Sequence, residues 1–339
     1  MNSTLDGAQC STGLRRLAET PERGRQVIPF VAVLGAVAST LVLLWGGLGA
    51  AEAATSAQAA TNAQAAASAQ AVSGERVNRA VNYLRAQQNA DGGFGEAGER
   101  SDPTLTAWVA LALDAAGLDV GRLERGGDTL AAYLARQAPT DATGLELQLL
   151  ARSAAGVERS ALATALVKKI RPGGRIGSRL NSTIWGILAL RSAGLAVPKK
   201  VVRYVRRNQH QNGGFSWIAR GPVDTNDTAA AIQALRSVGF GSNSKPIKRA
   251  FRFLASTRRN SGGFPLSKGG ATDAQSTGWV LQAYAATGRA GPSKSRRYLV
   301  RLQQPDGRLV YRRGRAITPV WVTAQTLPGL LQSAFPPGP

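Results

Sequence analysis

Residues 224–227 read Asp-Thr-Asn-Asp and stand at the head of an alanine-rich apolar run. Two carboxyls three positions apart at a helix start lie on one face, a turn apart. Such a pair can work as a general acid if burial raises the pKa of one member. The same residue types also cap helices: Asp, Asn, Ser and Thr accept the free N–H groups of a first turn, at about 1 kcal/mol each. Dipoles at a helix N-terminus favour the ionised carboxylate, so capping carboxylates are expected to keep a low pKa there. Other chemistries lack their residues. The chain has one His, His210, and one Cys, Cys10. A zinc site needs three or four ligands of the right kind, and a nucleophilic triad needs its histidine. Neither metal nor cofactor is expected, and His210, in QHQNGGF, reads as a solvated turn residue.

The elements that position these carboxyls repeat along the chain. The first unit runs RAVNYLRAQQNADGGFGEAGERSDPTLTAWVALALDAAG, the fourth KKVVRYVRRNQHQNGGFSWIARGPVDTNDTAAAIQALRSVG. Each has a basic or neutral helix, a turn that is often Gly-Gly, and a more apolar helix closed by glycine. The turns fall at Gly92-Gly93, Gly173-Gly174, Gly213-Gly214, Gly262-Gly263 and, degenerate, at Asp306-Gly307. The closing glycines are Gly117, Gly156, Gly194, Gly239 and Gly288. Helices apolar on most sides are buried, and those with a basic face lie outside. Six such hairpins predict an all-α (α/α)6 toroid over residues 74–335, with inner and outer rings and a short tail at 336–339.

In that arrangement all six inner N-termini share one rim. Counting back from the closing glycines, the rim row is Thr104, Thr143, Asn181, Asn226, Gln275 and, roughly, Val320. Two positions earlier come Asp102, Asp141, Asp224 and Asp273; one later come Ser182, Asp227 and Ser276. Trp108, Trp185 and Trp279 share one position about a turn deeper. Their π faces would suit an apolar chain or a cation, though packing between the rings would use them as well. Trp217, in the loop above the fourth unit, is a candidate lid residue.

The segments QQNADGGFG, NQHQNGGF and RRNSGGF resemble the repeat of squalene and oxidosqualene cyclases and of protein prenyltransferase β subunits. The hairpin form is also similar to the α/α-barrel of cobalamin carriers. The resemblance covers residues 75–335 and implies the toroid. Class II terpene cyclases carry DxDD followed by Thr-Ala at the equivalent helix start, and their middle Asp donates the proton. Here the stretch is Asp224-Thr225-Asn226-Asp227-Thr228-Ala229, with an amide in the donor's place. Only Asp224 or Asp227 could then serve as acid. Prenyltransferase β subunits hold zinc with Asp-x-Cys and a later His; Asp273-Ala274-Gln275 has neither, so that activity is not expected.

Net charge is +22, unevenly spread. Residues 74–165 hold 9 Arg/Lys and 12 Asp/Glu, whereas residues 166–339 hold 29 and 4. A one-sided basic surface suits an anionic partner, here anionic membrane lipid or a cell-envelope polymer. No recognition motif points to nucleic acid. Residues 27–50 form an uncharged apolar run preceded by Arg15, Arg16, Arg23 and Arg25. This predicts a single-pass anchor with residues 1–26 cytoplasmic, or a signal sequence cleaved near Ala51-Glu52-Ala53. Residues 51–73, rich in Ala, Gln and Ser, read as a linker. The favoured reading is therefore an exported, tethered toroid that binds an apolar or isoprenoid-like ligand centrally, without catalysis. Asn181, Asn226, Asp273, Gln275, Trp108, Trp185, Trp217 and Trp279 are its candidate ligand residues. The alternative is a divergent class II cyclase using Asp224 or Asp227.

Overall fold

A computed structural model of the protein describes residues 74–335. The anchor or signal run, the linker and the tail at 336–339 lie outside the described residues. Among the described residues no helix is long and apolar enough to cross a membrane.

Outer and inner helices alternate along the chain. They are α1 over 74–85, α2 Pro103–Ala115, α3 Leu130–Ala135, α4 Ala142–Ala154, α5 Ser160–Val167, α6 Leu180–Ser192, α7 Lys199–Arg207, α8 Thr225–Ser237, α9 Lys245–Thr257, α10 Ala274–Ala286, α11 Ser293–Val300 and α12 Pro319–Leu330. The even-numbered helices form the inner ring. Each packs on the next, and α12 packs on α2, so the ring closes. Five inner helices have 13 residues and the sixth 12, which makes a wall about 20 Å tall. Every residue of α6 from Leu180 to Leu190 is buried, as a helix flanked on all sides requires. The outer helices bury one stripe only: in α7 this is Val201, Tyr204 and Val205, while its arginines face outward.

Three small devices recur in the hairpins, two joining a hairpin to the next and one bracing it internally. The first is the turn glycine. Gly213 (φ +93°) and Gly307 (φ +96°) adopt a backbone that L side chains avoid, and each lies directly on the following outer helix. A Cβ at Gly213 would stand 2.2 Å from the Arg249 carbonyl oxygen, and one at Gly307 2.1 Å from that of Arg79. The second contact joins the last hairpin to the first. The next device is a glutamine before the turn. Gln88, Gln209 and Gln303 each donate to a carbonyl of their own turn and to one of the neighbouring hairpin. The last is an inner-helix threonine. Thr106, Thr183, Thr228, Thr277 and Thr323 each accept the backbone N–H of the residue two positions after the positive-φ turn glycine of their own hairpin.

In the fourth and fifth hairpins the loop becomes a short ribbon. Strands β1 (Phe215–Ser216) and β2 (Val223–Asp224) pair antiparallel, as do β3 (Phe264–Pro265) and β4 (Thr272–Asp273). Phe215 pairs with Asp224 and Phe264 with Asp273. Both aspartates are thereby fixed at the same height on the rim.

Candidate active site

The ribbons deliver Asp224 and Asp273 as N-caps of α8 and α10. Asp224 accepts the Asp227 N–H at 2.7 Å, and Asp273 accepts the Ser276 N–H at 2.7 Å and the Ser276 hydroxyl at 3.0 Å. Capping is thus part of their work. The starts of α6, α8 and α10 also donate to the loop of the next hairpin. Asn181 donates to the Trp217 carbonyl, Thr225 to that of Leu266 and Ala274 to that of Tyr311. Trp217, Leu266 and Tyr311 occupy one repeat position, two residues past the start of the post-turn strand.

Those three residues wall a pocket of about 270 Å³ that opens at the rim on the side of hairpins three to six. Asp224, Asp227 and Asp273 line it, with Asn181, Asn226 and Gln275. Trp185 and Trp279 form its floor. Nine of the ten residues singled out in the sequence line this pocket, seven in its rim or wall and Trp185 and Trp279 below them. Trp108 does not line the pocket. It is fully buried and packs edge-to-face on Trp185 and Trp279, with centroids 5.7 and 5.5 Å away. Trp185 and Trp279 meet at 5.1 Å. The three indoles fill the ring's centre, because equivalent positions on inner helices converge toward one axis. Asp102, Asp141, Thr104 and Thr143 share the rim but stay outside this pocket.

Several contributors had no mark in the sequence. Gln325, on α12, lines the pocket. With its amide oxygen turned toward the indoles, it accepts from Trp108 at 3.2 Å and Trp321 at 3.1 Å. Phe335 packs under Trp108 and Trp279, at 6.4 and 6.3 Å, and donates its N–H to Gln233 at 2.8 Å. Trp217 lies at the mouth with the Arg179 guanidinium 4.9 Å over its ring.

The electrostatics correct one expectation. Helix dipoles were expected to hold these carboxyls low; burial outweighs them. Asp227 is 4% exposed and Asp273 1%, and desolvation of the charged form is the largest influence on both. Asp273 rises to about 6, held from going further by Ser276 and by the Arg312 charge. Asp224 is pushed well above the usual carboxylate range, first by burial and then by the neighbouring Asp227 charge. Asp227 is also raised by burial, but hydrogen bonds from Asp224 and Asn181 pull it back. The bond between the carboxyls raises Asp224 and lowers Asp227. Asp224 is therefore the hydroxyl donor and Asp227 the acceptor. When the pair loses its first proton, it leaves Asp227, whose carboxylate keeps two donors. Between them, the Asn226 Oδ1 is buried without a hydrogen-bond partner. Among the described residues no three His, Cys, Asp or Glu gather as metal ligands.

The family model described as prenyltransferase alpha-alpha toroid domain matches residues 49–137 and 177–313. No curated protein matches the sequence. Among solved structures, the apo type II terpene cyclase MstE from Scytonema aligns with a TM-score of 0.58 at 17% identity, over 76% of this chain and 97% of the cyclase. A variant of that enzyme in complex with geranylgeranyl dihydroxybenzoate, its substrate, gives 0.58 at 16% identity, over 77% and 97%. A glycosidase variant in complex with glucose gives 0.50 at 12% identity, over 75% and 96%. At these identities the likeness is one of fold.

Proposed function

The chain belongs to the prenyltransferase α-α toroid domain family, and from that premise we propose that it is a proton-initiated isoprenoid cyclase of the class II type. The observation that carries this reading is the pairing of half-buried Asp224 with buried Asp227, both raised in pKa, above an apolar pocket floored by Trp185 and Trp279. Alkene protonation needs an acid that stays protonated in the resting enzyme and leaves a stabilised base. Burial raises the Asp227 carboxyl toward the first demand, and its two hydrogen-bond donors meet the second. Its proton passes to the CH carbon of the last alkene of a prenyl chain, leaving a tertiary carbocation and the Asp227 carboxylate. The Asp224 hydroxyl and the Asn181 amide hold that carboxylate. A second double bond of the chain closes on the cation. Loss of a proton from the cyclised cation restores an alkene, so the net change is isomerisation. Trp185 and Trp279 present electron-rich ring surfaces to the passing charge. The pocket holds roughly nine waters' worth of liquid volume, enough for the reacting end of a prenyl chain whose remainder runs out through the mouth. The substrate complex of the Scytonema enzyme supports a prenyl-bearing ligand on this fold.

The test is incubation of full-length protein with squalene and with prenyl alcohols and diphosphates of 10 to 20 carbons (roughly pocket-sized reacting ends), followed by gas chromatography with mass detection. Cyclised product is expected, falling by about 10²–10⁴-fold in Asp227→Asn. Absence of product from wild type rejects catalysis, and undiminished product from both Asp227→Asn and Asp224→Asn rejects this carboxyl pair as the acid.

A second reading, ligand binding without turnover, is favoured by Asn226 in the position where the family resemblance puts the donor. The buried Asn226 Oδ1 would accept a hydroxyl of the held ligand. Quenching of tryptophan fluorescence by prenols, with no product formed, would single out this reading. Export and tethering belong to either reading and rest on the apolar run at 27–50; protease accessibility on intact cells tests them.

A further inference from the structure

Away from the mouth, the outer wall carries a concave groove of about 630 Å³, framed by α7, the start of α9 and the turn at Pro172-Gly173. Six cations line it: Lys200, Arg203, Arg206, Arg207, Lys245 and Arg249. No acidic side chain is among its walls. The sequence has none between 159 and 223, or between 228 and 272. Crowding six like charges with no counter-ion destabilises a fold through self-repulsion, so the cluster calls for an anion from outside.

The groove is also built rather than merely basic. Arg206 lies 5.4 Å over the Phe240 ring, and Arg207 lies 4.9 Å over Tyr204 while donating to the Gly173 carbonyl at 3.2 Å. Arg249 donates to the carbonyls of His210 and Gln211, at 2.7 and 3.1 Å. Three guanidiniums are thus held in place with further N–H groups to spare, which lowers the ordering cost of binding. Arginine's planar fork matches two oxygens of a phosphate at once. A concave wall converges its charges on a compact ligand, whereas a bilayer would be met by a flat or convex face. The groove also offers no apolar anchor: the exposed large hydrophobics among the described residues, Val167 and Ile218, are not part of it.

We propose that this groove is a binding site for a compact anion carrying two or more linked phosphates. Occupancy is independent of the chemistry at Asp227, because the groove lies on the outer helices and shares no lining residue with the rim pocket.

Calorimetric titration of the full-length protein with tripolyphosphate tests it. Saturable binding is expected in wild type. It should weaken more than about tenfold in Arg203→Glu/Lys245→Glu, the scale seen when a binding charge is reversed. The pair Arg296→Glu/Arg297→Glu on α11 changes net charge equally and should leave affinity within about twofold. Arg203→Gln/Lys245→Gln provides the same comparison if the reversed pair does not fold. No saturable binding by wild type overturns the proposal, and so does equal weakening by the α7/α9 and α11 pairs. Groove-dependent binding to phosphatidylglycerol vesicles that tripolyphosphate does not displace would also overturn it, by making a lipid surface the occupant.

Discussion

The carboxylate of Glu96 receives the backbone N–H of Trp321 at 2.9 Å, and that of Val320 at the same distance. This contact joins the first hairpin to the last. Elsewhere on the rim the equivalent loop residues, Trp217, Leu266 and Tyr311, offer a backbone carbonyl to the preceding helix start. At the seam, α12 begins from Thr318 in a left-handed conformation with no side-chain cap. Its free N–H groups need an acceptor with longer reach, and a glutamate side chain has it. Removal of this acceptor in Glu96→Ala should cost about 1–2 kcal/mol, the scale of a lost helix cap. Thermal unfolding should shift down by a few degrees, about 2–4 °C per kcal/mol for a domain of this size. Glu96→Gln, which keeps one carbonyl acceptor, should lose less. An unchanged melting temperature in Glu96→Ala would mean that the seam is held by the Gly307 and Gln303 contacts alone.

The proposed acid has a pH signature. Cyclisation needs Asp227 protonated, and Asp227 titrates above the ordinary carboxylate range because of burial. Turnover should therefore be flat in acid and fall about tenfold per pH unit once pH passes that raised pKa. The pH dependence of kcat/KM reads this directly. A rate that rises with pH through the carboxylate range would reverse the assignment of Asp227 from acid to base.

Asp273 links stability to pH. Its folded pKa, about 6, exceeds the ordinary value of 3.8. Between these values the folded chain holds a proton that the unfolded chain has released. Stability is therefore full below about pH 4 and declines as pH rises toward 6. Two units correspond to about 3 kcal/mol, an order-of-magnitude figure. Asp224 and Asp227, also raised, act in the same direction. Denaturant midpoints of wild type should fall from pH 4 to 6.5, and Asp273→Asn should flatten that decline. The asparagine can still accept the Ser276 N–H, so the cap itself survives. A slope as steep as in wild type would show that Asp273 does not titrate here.

Gly213 sets the contact between the fourth and fifth hairpins. Gly213→Ala combines a positive φ with a Cβ placed 2.2 Å from the Arg249 carbonyl oxygen. The backbone conformation alone costs about 1–2 kcal/mol for an alanine, and the collision adds to it. Gly239, also at positive φ but with nothing within 4 Å of an added Cβ, provides the control: Gly239→Ala should carry the first cost only. Equal midpoints for the two variants would contradict the interlocking role of Gly213.

Much of this molecule can be read from its repeats. Turn glycines and closing glycines mark most of the backbone reversals, and many of them adopt conformations that other residues avoid, so hairpin number and rim order follow. The placing of Asp224 and Asp273 at one height follows as well. Depth does not follow. Whether Trp185 faces space or Trp108 depends on the radius of the inner ring, which is set by packing among helices distant in sequence. For the same reason the carboxyl pKa values move opposite to the dipole argument: neighbours distant in sequence, the Trp217, Leu266 and Tyr311 loops among them, bury the rim carboxyls. The equivalence of those three loop residues was available in the register, but tryptophan, leucine and tyrosine do not announce a common job. Glu96 and Phe335 act across the closure of the ring, where neighbours in space have no neighbours in sequence.

Phe335, seated beneath Trp108 and Trp279 and tied by its N–H to Gln233, has a consequence for traffic. With the indoles it stoppers the far end of the ring, so the chamber is a cul-de-sac rather than a tunnel. A ligand held at Asp227 would therefore enter and leave by the one mouth, past Trp217.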